Sequence, residues 1–435
     1  MHRNILMRSP AVIAVMLLSI LCAQSARVYF GDQPASTAGS LMSIAADGTD
    51  QRTVTTLASG SDLRGMAYHR ASGRIYFLDN GTAKKIYSIL PDGTGQQEIA
   101  PLGSTFNADL EIDDASGKLY WADTFNGTII RANFNGTSVE TAVAVGTNEF
   151  TAPYFFFLDP AGGHIYWGVT STGSQSSNFR RATFAGVIDP DFLITSPTRT
   201  RDIGIDPATG TAYWCDRQTG AIYKRLLSGG ANQTVIGNLN APHGIALDIE
   251  AEKIYWADTG ARGGGPFNTS ARRVARCNFD GTEYENLSTP TPTSEPWDLT
   301  LDMASPNYAE WRTRFFSPTT PAAAQTDDAD GDGAVNLLEY ALGTHPRKAA
   351  SVPRIAAEGT RMRYTRRRAS NLTYRVEVST DLATWHYNND GSGLIWVVQT
   401  SATPLNADLE SVVVRGGSAT TSATQLFFRV RVTSP

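Results

Sequence analysis

The sequence predicts an all-β fold for most of its length: a closed succession of four-stranded sheets, then a short helical linker and a small β-sandwich. Three observations carry this reading. The 435 residues include 39 Gly and 21 Pro with 10% aromatics, a composition suited to many short strands joined by tight turns. An apolar strand ending in Asp is followed, seven residues on, by an aromatic pair, and this unit recurs along the chain. The first and last copies are complementary halves of one unit.

Met1–Ala26 reads as an export signal: His2, Arg3 and Arg8 form a basic start, Ala11 to Cys22 is apolar, and Ala23 to Ala26 are mostly small. The apolar run is too short to span a bilayer comfortably. Cleavage after Ser25 or Ala26 leaves Cys215 and Cys277, either as one disulfide or as two buried thiols.

The repeat then runs from 27 to 302. It reads Ile112-Asp113 to Tyr120-Trp121, Leu158-Asp159 to Tyr166-Trp167, Ile205-Asp206 to Tyr213-Trp214 and Leu247-Asp248 to Tyr255-Trp256, with Tyr68-His69 to Tyr76-Phe77 as a variant copy. A constant step implies one hairpin geometry used each time, and the intervening Ala115-Ser116-Gly117 and Pro207-Ala208-Thr209-Gly210 carry turn formers. Asp47-Gly48, Asp92-Gly93, Asn135-Gly136 and Asp280-Gly281 mark a further tight turn per unit, so each unit supplies a third and a fourth strand. Tyr29-Phe30 lacks an Asp strand before it, and Pro296–Asp302 lacks an aromatic strand after it. Joined, they complete a sixth unit and remove both open sheet edges. Divided six ways, 27–302 gives about 46 residues per unit, close to the ~40–45 of a four-stranded propeller blade. The expectation is a six-bladed β-propeller closed by pairing of N- and C-terminal strands.

Tyr120-Trp121-Ala122-Asp123, Tyr213-Trp214-Cys215-Asp216 and Tyr255-Trp256-Ala257-Asp258 resemble the YWTD repeats of low-density-lipoprotein-receptor-type propellers; Tyr29-Phe30-Gly31-Asp32 and Tyr76-Phe77-Leu78-Asp79 are weaker matches, and Tyr166-Trp167-Gly168-Val169 lacks the Asp. The resemblance implies that the aromatics pack between blades and that the Asp holds blade backbone. It also implies that protein ligands bind on the face carrying the channel mouth.

One position per blade, five residues before the final Asp or His69, falls where each innermost strand begins. It is occupied by Arg64, Ala108, Tyr154, Arg201, His243 and Trp297. Arg, Tyr and Trp are favoured at interface hot spots, so Arg64, Tyr154, Arg201, His243 and Trp297 are the candidate ligand-binding rim. Asp109, Asp202 and Asp298 stand beside this position and are expected to pair with the arginines. The alternative is ordinary inter-blade salt bridging and channel lining.

The net charge of −5, from 37 Lys+Arg and 42 Asp+Glu, argues against a nucleic-acid binder. Residues 27–302 carry 21 basic and 30 acidic side chains, favouring a cationic partner. Resemblance to six-bladed lactonases and streptogramin-lyase-like propellers raises a metal-dependent hydrolase or lyase as the runner-up. Asp109 and Glu111 sit on one blade, but no matching acids are recognised at aligned positions elsewhere, and neither Gly-x-Ser-x-Gly nor His-Glu-x-x-His occurs. No catalytic residue is therefore assigned. A third reading is a purely structural cell-surface protein.

Residues 303–352 form a linker. Tyr308–Phe316 reads as a short helix and Ser317–Ala324 as a connector. Asp328 to Glu339 then fits an EF-hand loop: Asp328, Asp330 and Asp332 at positions 1, 3 and 5, Gly333 at the sharp turn, Ala334 through its carbonyl, Asn336 at 9 and Glu339 at 12. These six residues are the candidate Ca²⁺ ligands, the alternative being a solvated acidic turn. Val335 and Leu338 are expected to face the core of a helix ending near Gly343. The loop resembles dockerin-type and thrombospondin-type-3 loops of secreted proteins, but it stands alone where dockerins have two.

Residues 353–435 alternate as strands at 372–379, 394–398, 411–414 and 427–432, a small β-sandwich resembling C-terminal modules of exported bacterial proteins. The basic run Arg361–Arg368 is expected at a solvated strand edge, the alternative being contact with an acidic envelope polymer. Taken together, the sequence predicts an exported, monomeric, non-catalytic protein of the extracellular space or cell envelope. It would hold structural Ca²⁺ and bind an extracellular protein or glycan, without nucleic-acid binding or a membrane span.

Overall fold

A computed structural model describes residues 26–33, 38–104, 106–146, 152–169, 178–195, 199–260, 272–288, 295–303, 307–316, 320, 322–351, 355–358, 360–368, 370–405, 408–423 and 425–434. The expected export signal before Ala26 and connector residues 317–319 and 321 lie outside the described residues.

Between residues 26 and 303, the described strands form six 4-stranded antiparallel sheets. The innermost strands are Leu63–His69, Leu110–Asp113, Phe155–Asp159, Thr200–Asp206, Pro242–Asp248 and Pro296–Asp302, and the sheets are called first to sixth in that order. Each inner strand pairs with the aromatic strand that follows it, except the last. Pro296–Asp302 pairs with Arg27–Asp32, Asp302 opposite Arg27 and Leu299 opposite Phe30. Inner strands touch in cyclic order, first to second and onward, and sixth back to first.

The aromatic pair explains the cohesion of neighbouring sheets. Successive side chains of a strand point to opposite faces. The Tyr of one sheet and the second aromatic of the next therefore share each core: Tyr76 with Trp121, Tyr120 with Trp167, Tyr166 with Trp214 and Tyr213 with Trp256. Tyr255 with Phe30 and Tyr29 with Phe77 complete the set. Burying a Trp removes ~150–250 Å² from water, about 4–6 kcal/mol of transfer free energy each. The repeat Asp acts on backbone: Asp79 accepts the N–H groups of Asp62 (2.8 Å) and Gly81 (2.9 Å), and Asp216 those of Arg199 (3.0 Å) and Gln218 (2.9 Å). In the third sheet, where this Asp is missing, the strand still pairs in register. Gly168 makes room there for the Phe155 ring, which would lie 1.7 Å from a Cβ. Cys215 and Cys277 are buried free thiols.

Helix α1 (Tyr308–Phe315) is capped by Asn307, which accepts the Glu310 N–H, and helix α2 (Asn336–Leu342) ends on the left-handed Gly343. Trp311, Phe315, Tyr340 and Ala251 share one cluster, which seats the linker on the turn end of the fifth sheet. Val335 caps α2 at 38% exposure instead of facing a core.

The C-terminal strands form a 4-stranded and a 2-stranded sheet over a common core that also takes Ala341 and Leu342. Arg361–Arg367 is not an edge. It lies between Ala356–Glu358 and Leu409–Gly416. Its alternation buries Met362 and Tyr364; Arg367, on the opposite phase, is also buried and donates to the Tyr340 carbonyl. A strand of basic residues is tolerated inside a sheet because only one face needs to be apolar.

Candidate functional site

Four of the six aligned positions sit where inner strands depart from regular pairing, and Ala108 and Tyr154 lie just before their strands begin. Register shifts occur around Arg64, Arg201, His243 and, opposite Phe30/Asp32, Trp297. A bulge re-aims the side chain it carries. The result is a connected cluster. The Arg64 guanidinium lies 4.8 Å from the Trp297 ring centre and 5.7 Å from that of Phe106. His243 meets Trp297 edge-on at 4.3 Å. Arg201 lies 5.1 Å from the Tyr154 ring, and Tyr154 is tilted against Phe106 at 5.7 Å. Ala108 is buried and brings no polar group. Phe106, adjacent in space, was not among the candidates; it lies outside the aligned position and had no sequence signal of its own.

The aspartates beside this position do not pair with the arginines, which corrects the expectation. Asp109 accepts the N–H of Leu110 (2.7 Å) and of Phe156 in the next sheet (2.9 Å). Asp202 does the same with Ile203 (2.7 Å) and Ile245 (2.8 Å). Asp298 takes the N–H of Met66 in the first sheet at 2.8 Å. Each inner strand is the edge of its sheet, so main-chain donors face the channel, and a buried donor must find an acceptor. Every second sheet supplies one, serving itself and its neighbour. Gly65 and Gly244 occupy the equivalent place in two of the receiving sheets. A Cβ at Gly65 would lie 2.4 Å from Leu110 N, and one at Gly244 would lie 2.8 Å from the Asp298 Cα.

Asp109, Glu111, Asp202 and Asp298 line one cavity of about 230 Å³ on the channel. This too departs from the sequence reading, which recognised matching acids on one blade only. Burial first, with two hydrogen-bonded N–H groups opposing it, pushes Asp109 up to about 6. Burial and mutual repulsion hold Glu111, Asp202 and Asp298 well above the usual carboxylate range. The rim has the opposite sign. Asp62 pairs with Arg64 at 2.8 Å. Arg201 has no carboxylate partner among the described residues. Burial, then Arg201, Arg64 and Arg217, holds His243 well below its ordinary value, so its imidazole is neutral.

The linker and C-terminal strands dock at the other end. Inner strands run from the rim to the turn beyond the final Asp. Arg314 of α1 clasps Asp248 at 2.9 and 2.7 Å and Glu250 at 3.0 Å. Arg367 reaches Glu250 at 3.3 Å, and Arg70 holds Asp408 at 2.7 Å. The rim is left clear of these contacts.

The acidic loop forms a second centre. Asp328, Asp330 and Asp332 each offer an oxygen within 4.8 Å of the others. Asp328 accepts Gly331 N (2.8 Å) and Gly333 N (2.9 Å), and Asp332 accepts Ala334 N (2.7 Å). Oδ2 of Asp330 and of Asp332 and both oxygens of the fully buried Glu339 have no hydrogen-bond partner among the described residues. Burial and the three aspartates push Glu339 up to about 8. Orphaned buried carboxylate oxygens beside three acids fit a hard cation with an all-oxygen shell. Asn336 commits its Nδ2 to the carbonyls of Ala322 (3.1 Å) and Ala324 (2.9 Å), tying α2 to the preceding segment.

No known family profile matches the chain. Low-density lipoprotein receptor-related protein 1 of Pyricularia oryzae is 26% identical over 276 residues, covering 54% of this chain and 88% of that protein. A chain in the crystal structure of a nidogen/laminin complex is similar with a TM-score of 0.53 at 13% identity, covering 64% of this chain and 99% of its own length. TolB from Acinetobacter baumannii gives 0.50 at 13% identity, covering 64% and 67%. No helix among the described residues is long and apolar enough to cross a membrane. The chain thus has a β-propeller fold, and in sequence it is similar to a receptor-related protein of the low-density-lipoprotein type.

Proposed function

We propose that residues 27–302 are a six-bladed ring closed by strands from both ends, and that the chain is an exported, non-catalytic binding protein. Its rim would capture an extracellular protein or glycan, while Asp328, Asp330, Asp332, Ala334, Asn336 and Glu339 would hold a structural Ca²⁺. The pairing of Arg27–Asp32 with Pro296–Asp302 supports closure. One observation carries the binding role: Arg64, Tyr154, Arg201, His243 and Trp297 gather at the end of the inner strands that the C-terminal part leaves uncovered. The test screens the full chain against exported proteins and envelope glycans, with Ca²⁺ and with a chelator. A folded variant carrying Arg64→Ala, Tyr154→Ala, His243→Ala and Trp297→Ala should lose every interaction; unchanged binding counts against this face.

The channel carboxylates favour one second reading, a metal-dependent hydrolase. Against it, three of the four acids already accept main-chain N–H groups. Among the described residues, only the Asp328 loop brings three metal-ligand atoms within 4.8 Å. Stoichiometric transition metal in protein lacking the loop acids, together with lactone hydrolysis, would establish it.

A further inference from the structure

We propose that the rim is built to seat a carboxylate side chain of an extended acidic peptide, with Arg201 as its anchor; this rests on the rim being the binding face. Arg201 is 7% exposed, yet its Nε makes no hydrogen bond among the described residues. Its ordered contact is the Tyr154 ring at 5.1 Å. A buried guanidinium without an anion is costly and is retained where a ligand supplies the anion. His243 stands on the same rim at 7% exposure, with Nε2 also lacking a partner among the described residues.

Among the described residues, the acids beside the site are committed elsewhere. Asp202 adjoins Arg201 in sequence, but its oxygens take the Ile203 and Ile245 N–H groups. Asp109 and Asp298 are likewise held by backbone, and Asp62 takes Arg64. Arg199, Arg64 and Arg217 add positive potential around the pair. The rim is therefore locally basic on a module of net acidic charge, which reverses the cationic partner expected from composition. The rim aromatics already carry cations on their rings: Arg64 on Trp297 and Phe106, Arg201 on Tyr154. That disfavours stacking of a sugar ring and favours a side-chain carboxylate meeting the guanidinium fork.

The test uses the full chain and fluorescein-labelled decapeptides of alternating Glu and Gly, Gln and Gly, or Lys and Gly, with polygalacturonate as a glycan competitor. Anisotropy should show the Glu peptide binding at least ~10-fold tighter than the Gln peptide, the size of a charge-assisted contact, with affinity falling as salt rises. Arg201→Gln should remove that preference and Arg201→Lys restore part of it. The wild-type peptide comparison decides the matter even where a variant folds poorly. Equal binding of Glu and Gln peptides, or displacement by polygalacturonate at lower carboxylate concentration than by the Glu peptide, overturns the proposal. If the equal binding is lost in the four-residue rim variant, the binding face stands and only the acid preference fails. If that variant binds as before, both fail.

Discussion

Replacing Arg314 with Met removes the cation on which the junction between the propeller and the linker is centred. Arg314 and Asp248 are each 2% exposed, and two hydrogen bonds of 2.9 and 2.7 Å join them. Glu250 takes the remaining nitrogen at 3.0 Å. Met preserves much of the volume but strands the buried Asp248 carboxylate without its cation. Removing one partner of a buried pair costs about 3–5 kcal/mol, whereas an exposed pair is worth about 0–1 kcal/mol. Lys348 and Glu252 form such an exposed pair at the same junction, with side chains 45% and 36% exposed, so Lys348→Ala is the internal control. Urea unfolding followed by the fluorescence of buried Trp311 should show Arg314→Met losing several-fold more stability than Lys348→Ala. Adding Asp248→Asn to Arg314→Met should recover more than about 1 kcal/mol, because the uncompensated charge is then gone. Asn at 248 retains an acceptor for the Ala251 N–H, which Asp248 now takes at 3.1 Å. If Arg314→Met costs no more than Lys348→Ala, the buried clasp is not what fastens the two parts.

Calcium at 10 mM should stabilise the chain by about 1.4–2.7 kcal/mol if the loop binds with the ~10⁻⁴–10⁻³ M affinity of extracellular sites. Glu339→Ala should abolish that gain, and a thermal shift that survives the substitution would remove the loop from consideration. Gly65→Ala should cost about 2–3 kcal/mol by driving a methyl into the Asp109–Leu110 backbone, 2.4 Å at its nearest; calorimetry giving under half of that would mean the inner strands have room to move. The pH dependence follows from Asp109, whose carboxyl is pushed up by burial to about 6 from an ordinary value of 3.8. A raised carboxyl contributes stability that is complete below about pH 4 and is lost as pH rises through about 6. Subtracting the urea midpoints of Asp109→Asn from those of the wild type between pH 4 and 7 should leave a falling curve, and a flat difference would contradict the burial argument.

Hairpins and the packing of their aromatics were legible because both are local. A seven-residue step fixes a turn, and alternation in Tyr120-Trp121 sends one ring to each side, so neighbouring cores follow from the strand itself. The acidic loop was legible for the same reason: its acids and glycines lie within twelve residues, and the buried oxygens of Glu339 meet that pattern. The position four residues before the final Asp shows its aspartates in the sequence but not what they bind. It alternates as Gly65, Asp109, Phe155, Asp202, Gly244 and Asp298. Its meaning appears only when Asp298 reaches Met66, 232 residues away, and Asp202 reaches Ile245. Arg361–Arg367 misled for a related reason: a run of charge reads as solvent-facing until the neighbouring strands show which side chains turn inward.

The sequence by itself therefore determined the strands, their turns and the repeating aromatic cores, since near neighbours along the chain set dihedral angles and alternation. The tertiary structure alone decided where the buried charges ended up. Asp202 was spent on backbone, Arg314 on Asp248, and Arg201 met no anion among the described residues, because the partner a charge finds depends on which distant segments desolvate it and which donors the inner edge strands leave open.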